Sequence, residues 1–243
     1  MTSPERDADA LQESTDRLLD AVAGWEPAGA DSCHSFLAEP SLLPDWTRGH
    51  VLAHLARNAD ALLNVLEGRP MYADAQTRDA DIAAGAGRPL PEQLADLRTS
   101  ARRLGDAFAA HGRADGDPWR RRVELRNGVT DLAASLPFRR RVEVELHHVD
   151  LGAGYSVDDL PGDFTDRLLD YLTRRFAGNA ELPAVELRSE DGRSWRTGRP
   201  VADGAAAVVV AGTPTALAGW LSGRTTGSGL TTDGAALPVL PPL

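Results

Sequence analysis

Over the first 150 or so residues, apolar side chains return every three or four positions, the spacing of one buried face on an α-helix. Leu11, Leu18, Leu19 and Val22 form the first such stripe, ended by the breaker at residues 27–29. A second helix is expected to start near Asp45 or Thr47, both good caps, and to stop at Gly68. Its stripe is Val51, Leu52, Leu55, Ala59, Leu62 and Leu66. A third opens at Leu90-Pro91-Glu92, with proline in the first turn, and carries Leu94, Leu97, Leu104 and Phe108. A fourth follows Pro137 and ends at Gly152. Four stripes joined by loops bury one another most simply in an antiparallel four-helix bundle. Residues 71–88 are too many for a tight turn and are expected to cross the bundle or cover its mouth.

Past Pro161 the pattern changes. Residues 165–176 repeat as one more amphipathic helix. Residues 184–190 and 193–197 then flank Asp191-Gly192, the signal of a two-residue hairpin. Residues 206–212 are rich in valine and read as a buried strand, and Thr213-Pro214 opens a short helix ending at Gly223. The expected fold class is therefore α+β. A helix bundle occupies residues 1–157 and a smaller α/β domain residues 158–243, with the junction near 155–162.

Charge narrows the function. A net charge of −10 over 243 residues opposes nucleic-acid binding, which needs an excess of cations on one face. The short runs Arg120–Arg122 and Arg139–Arg141 read as solvated helix ends as readily as phosphate sites. No apolar stretch is long enough to span a bilayer, and the N-terminus is acidic, so a cytoplasmic protein is expected. Its single cysteine, Cys33, excludes an internal disulfide and suits a reducing compartment. His34 beside it raises the question of a nucleophile, but a plain free thiol is the simpler reading.

Chemistry concentrates in histidines and acids. His50 and His54 lie four apart on the second helix, and Glu143 and His147 four apart on the fourth. Such pairs point along one helical face and can share a ligand. Glu145 and His148, three apart, are the competing pair. On the second helix His54 lies about 120° from the centre of the apolar stripe and His50 about 160°, so His54 is nearer the interior. On the fourth, Glu143, His147 and Leu151 share a stripe, while Phe138, Val142, Leu146 and Val149 form a second; periodicity does not choose between them. Two histidines and a carboxylate on facing helices suit zinc or another divalent metal, with a fourth position left open. The HExxH, GxSxG, CxxC and Gly-rich phosphate-loop motifs are absent.

Four segments together carry a resemblance. Residues 43–62, LPDWTRGHVLAHLARNADAL, and residues 141–152, RVEVELHHVDLG, resemble the signatures of the mycothiol-dependent maleylpyruvate isomerase family. Residues 78–82, RDADI, fit as well. The tail is similar to that family's C-terminal domain in GTP at 212–214, WLSGR at 220–224 and LPVLP at 237–241, though it ends Pro-Pro-Leu where relatives often carry an aromatic. The resemblance implies a DinB-like four-helix bundle carrying zinc on His54, Glu143 and His147, and a smaller C-terminal α/β domain. It also implies a functional arginine at Arg224, and mycothiol as the thiol cofactor that reversibly adds to maleylpyruvate and allows its isomerisation to fumarylpyruvate. His50, His148, Asp150 and Asn58 are candidates to orient the ligands. Trp46 and Trp220 read as core residues. The partners expected are a small-molecule substrate and the thiol, with no nucleic acid and no membrane. A mycothiol S-transferase acting on another electrophile, or a non-catalytic binding protein whose zinc is closed by His50 or Glu145, are the rival readings.

Overall fold

The computed structural model describes residues 3–25, 36–201 and 206–243. Cys33 and His34 lie outside the described residues. The chain divides into two compact units, Met1–Ala153 and Gly154–Leu243.

The first unit is built on α1 (Pro4–Ala23), α2 (Arg48–Leu66), α3 (Ala75–Ala86), α4 (Leu90–Gly112) and α5 (Leu136–Asp150). Helix α1 starts at Ser3, whose hydroxyl accepts from the Arg6 amide, with Pro4 in its first turn, where a missing N–H costs nothing. It buries Leu11, Leu18, Leu19 and Val22. Helices α1, α4, α2 and α5 form a ring in which α1 touches α4 and α5, and α2 touches the same two. This is the expected four-helix bundle. Its core joins Leu18 and Val22 of α1, Val51, Leu52 and Leu55 of α2, Leu97, Leu104 and Phe108 of α4, Leu136 and Val144 of α5, and Leu151 at the end of α5. Each fully buried leucine there contributes about 2 kcal/mol.

Two elements were not foreseen in the sequence. Residues 71–88 contain α3, capped by Asp74, whose carboxylate accepts from the Thr77 amide at 2.6 Å. The helix packs closely on α2 because glycine stands at both contact points. A Cβ on Gly49 would collide with the Ala86 carbonyl, and one on Gly85 would lie 2.8 Å from the Ala53 Cβ. The second element is a hairpin of β1 (Arg122–Glu124) and β2 (Thr130–Leu132), whose tip holds Asn127 and Gly128 at φ 60° and 70°. Val123 and Leu125 turn inward and join the bundle core. Arg121 fastens the hairpin to the end of α2 by donating to the Leu66 carbonyl at 2.6 Å.

In the second unit α6 (Gly162–Phe176) and α7 (Pro214–Leu221) pack together and on a four-stranded sheet ordered β4-β3-β5-β6. Its strands are β3 (Val185–Ser189), β4 (Ser194–Thr197), β5 (Val208–Gly212) and β6 (Thr231–Thr232). β3 pairs antiparallel with β4 and parallel with β5. The turn at Asp191-Gly192 is one residue longer than the dipeptide predicts. The Ser189 and Arg193 backbones still pair, and Gly192 takes φ 87° as the last of three loop residues. Val185, Leu187 and Val210 of the sheet and Leu168, Leu169, Leu172 and Leu217 of the helices are buried. The fold is thus α+β. No helix among the described residues is long and apolar enough to cross a membrane.

Candidate metal centre

Helix α2 begins with a capping box. Thr47 accepts from the His50 amide, and the His50 Nδ1 accepts from the Thr47 amide at 3.3 Å. His50 therefore serves the helix end, and His54, one turn further, reaches the interior. Arg48 then ties the start of α2 to the end of α5, donating from Nε to the Leu151 carbonyl at 2.8 Å and from Nη2 to the Gly152 carbonyl at 3.2 Å. The clamp fixes the two ligand-bearing helices against each other.

Between them His54, Glu143 and His147 converge, with one possible ligand atom from each and all three within 4.8 Å of one another. His54 Nε2 is 3.0 Å from Glu143 Oε2, and His147 Nε2 is 3.3 Å from the same oxygen. The two imidazoles meet edge to face, ring centroids 4.7 Å apart, and the Trp46 ring stands 5.4 Å from His54. Trp46 thus packs against the cluster as well as the core. The rival pair separates from the cluster: Glu145 is buried and accepts from Ser14 Oγ at 2.6 Å and Arg17 Nη2 at 3.0 Å, on the side of α1. His148 is buried too. Asn58 accepts from Arg140 at 2.8 Å.

Electrostatics make the cluster a demand for positive charge. His147 Nδ1 donates to the buried Asp150 carboxylate at 2.8 Å while Nε2 faces Glu143, so a carboxylate sits on each side of the ring. Burial pulls the His147 pKa down, but the hydrogen bonds to Asp150 and Glu143 together outweigh it and the net shift is upward. Burial would raise Glu143, yet its bonds to His147 and His54 and their charges hold it well below the carboxylate range. For His54 burial dominates over the Glu143 hydrogen bond and lowers the pKa. A neutral His54 has one N–H. Arg78 Nη2 lies 3.3 Å from Nδ1 and can only donate, so the proton sits on Nε2, pointing at Glu143.

Without a metal, His147 keeps its proton to higher pH than an ordinary imidazole, and that proton places positive charge between two carboxylates. A divalent cation could take its place, and two imidazole nitrogens with one carboxylate oxygen form a donor set that suits such an ion while leaving a position open. Asp150 then does what a carboxylate behind a ligating histidine does: it fixes the ring's tautomer and orientation. Behind Glu143 lies Arg140, fully buried, its pKa dragged down by burial to about 10 yet still charged at neutral pH.

In the second unit, Arg224 follows Gly223, which takes φ 74° at the end of α7, and its Nη1 donates to the Ser222 carbonyl at 2.6 Å. Trp220 is buried in that unit's core. Two residues that the sequence did not single out carry charge interactions here: Tyr72, half-buried, with Glu143, and the hairpin residue Arg126 with Tyr72. The Asn127-Gly128 pair was the available signal for that hairpin.

Comparison with known proteins bears on the whole chain. Residues 11–152 match the family model described as the mycothiol maleylpyruvate isomerase N-terminal domain, and residues 159–242 match the corresponding C-terminal domain model. Two solved structures superpose with a TM-score of 0.82 at 25% identity, each covering 100% of both chains. One is a crystal structure of mycothiol-dependent maleylpyruvate isomerase, and the other is a histidine-to-alanine mutant of that enzyme. No curated protein matches the sequence at a significant level.

Proposed function

Because the chain belongs to the mycothiol maleylpyruvate isomerase family, we propose that it is a zinc- and mycothiol-dependent isomerase converting maleylpyruvate to fumarylpyruvate. The observation that carries this reading is the convergence of His54, Glu143 and His147 on one point between α2 and α5. Those three residues would hold the ion. A divalent ion held there would lower the pKa of a thiol at its open position, and reversible addition of such a thiolate to the C=C bond would permit rotation. The protein's own contributions are geometric and electrostatic. Asp150 holds the His147 ring, the Arg48 clamp holds α2 to α5, and Trp46 packs against His54. Arg140 places a buried positive charge near Glu143, favouring its ionised form. Arg224 is the cation assigned to a substrate carboxylate, since a guanidinium matches that group with two parallel hydrogen bonds.

The test follows maleylpyruvate consumption by zinc-loaded protein with and without mycothiol, alongside His54→Ala. Thiol-dependent fumarylpyruvate formation is expected, with loss of at least about a hundredfold in the variant. A stable thioether in place of the isomer would instead make the protein an S-transferase, and no turnover by correctly metallated protein would remove maleylpyruvate as its substrate.

A further inference from the structure

A cavity of about 580 Å³ opens within the first unit, between the α2–α3 connection and the β1–β2 hairpin. Its wall is cationic in a chain that carries −10 overall: five arginines line it against two carboxylates, those of Asp74 and Glu124. Four of the five have tasks already. Arg69 pairs with Glu67, Arg78 with Asp79 at 2.6 Å, Arg121 holds the α2 carbonyls, and Arg122 donates to Thr130 Oγ1 at 2.8 Å. Asp74 is engaged in capping α3. Arg126 differs. It stands exposed at the tip of the hairpin, and its side chain makes no ion pair or hydrogen bond among the described residues. It has a charge interaction with Tyr72 on the same wall, which also senses Arg78 and Glu143. Arg78 is the link to the metal centre, lining the cavity and reaching His54 Nδ1.

We propose that this cavity is an anion pocket for a small dicarboxylate, with Arg126 as its specificity-determining contact. A positive Asn127 φ followed by a positive Gly128 φ turns the tight tip on which Arg126 stands, and Val123 and Leu125 anchor the strand below in the core. The guanidinium is therefore carried on a fixed support over a cavity whose other cations set the field. A carboxylate entering it gains a planar two-donor partner that is held in no ion pair among the described residues. The pocket rests on the isomerase reading for the identity of the electrophile, because a substrate with two carboxylates needs a cationic holder beside the metal.

The test is titration calorimetry of the full chain, zinc-loaded and metal-free, with succinate, a saturated dicarboxylate that cannot isomerise. Binding is expected to weaken about tenfold in Arg126→Gln and less in Arg126→Lys. Arg103→Gln, which removes the same charge from α4 outside the cavity, should bind as the parent does. No heat with the parent, or equal binding by Arg126→Gln, overturns the pocket. Turnover separates it from the isomerase reading. Arg126-dependent succinate binding without maleylpyruvate turnover keeps the pocket and removes the isomerase. Turnover whose KM is unchanged in Arg126→Gln keeps the isomerase and removes the pocket.

Discussion

Helix α5 carries two Glu/His pairs that read almost alike in sequence and do different work in the fold. Glu143 and His147 face α2, meet His54, and leave a carboxylate on each side of an imidazole. Glu145 turns to α1, where Ser14 and Arg17 satisfy it completely enough to leave no demand for a cation. The helical repeat allows both pairs to be buried. What separates them is the partner across the interface, a histidine in one case and a hydroxyl with a guanidinium in the other. A carboxylate whose neighbours already supply donors and positive charge is a strut. One whose neighbours are titratable rings is a ligand in waiting.

The sharpest way to break the comparison is to neutralise each acid in turn. Glu143→Gln is expected to abolish zinc retention, lowering affinity by more than about a thousandfold, because it removes the charged ligand of three. Glu145→Gln should leave zinc affinity within about twofold and cost about 2 kcal/mol of stability, since a buried acceptor of charge-assisted bonds is lost. Competition with a chelating dye and a chemical denaturation curve measure the two effects. Zinc loss in Glu145→Gln would mean that the two faces of α5 are not independent.

A smaller effect is expected at Asp150, whose carboxylate accepts from His147 Nδ1. Asp150→Asn should weaken zinc by roughly ten- to a hundredfold, the range for a residue that orients a ligating histidine. It should also change the pH profile. Protons compete with the metal at His147, and its raised pKa makes the parent's affinity keep climbing with pH beyond the ordinary imidazole value. Without Asp150 that pKa falls, so the variant's affinity levels off at lower pH although its plateau is weaker. In metal-free protein the sign is opposite. The raised His147 pKa contributes stability that is full below the unfolded value of about 6.5 and lost as pH rises through the folded one. The depressed Glu143 pKa contributes stability present above about 4.5 and lost as pH falls through the folded value. Glu143 and His147 thus favour metal-free protein between these limits, while the lowered His54 pKa, whose contribution is present above about 6.5 and lost as pH falls, works against them, so a thermal-melt series of the parent beside His54→Ala separates the two.

The bundle was legible because its four helices bury long, regular stripes; Leu52, Leu97 and Leu136 all stand where the period puts them. Helix α3 was not, because only Ile82 and Gly85 among its residues are buried and its place is decided by glycine contacts with α2. The β1–β2 hairpin has strands of three residues, too short for alternation to register, although Asn127-Gly128 marked its turn. At the site, spacing put His54 inside His50, and the capping box gives the reason. Spacing could not choose between the pairs of α5, because the choice lies in residues of α2 and α1 that are 89 and 131 positions away along the chain, respectively.

The same distinction between engaged and available groups applies within the cluster, at the nitrogen of His54 that faces away from Glu143. A ligating histidine ordinarily gives its second N–H to a carboxylate or carbonyl, as His147 does. His54 instead meets Arg78, a donor. That arrangement favours the tautomer with the proton on Nε2, the atom that zinc would need, and it adds a positive charge close to the place of a divalent ion. Arg78 therefore works against metal binding while serving the cavity beside it. Arg78→Gln is expected to raise zinc affinity by about threefold, the modest size reflecting a charge that water partly screens. Asp79→Asn, which breaks the Arg78 ion pair without touching His54, is the control, and it should leave affinity unchanged or slightly lower as Arg78 loses its counter-charge. If Arg78→Gln binds zinc more weakly, the guanidinium holds the ring in place rather than opposing the ion, and His54 and His147 are then supported by equivalent means.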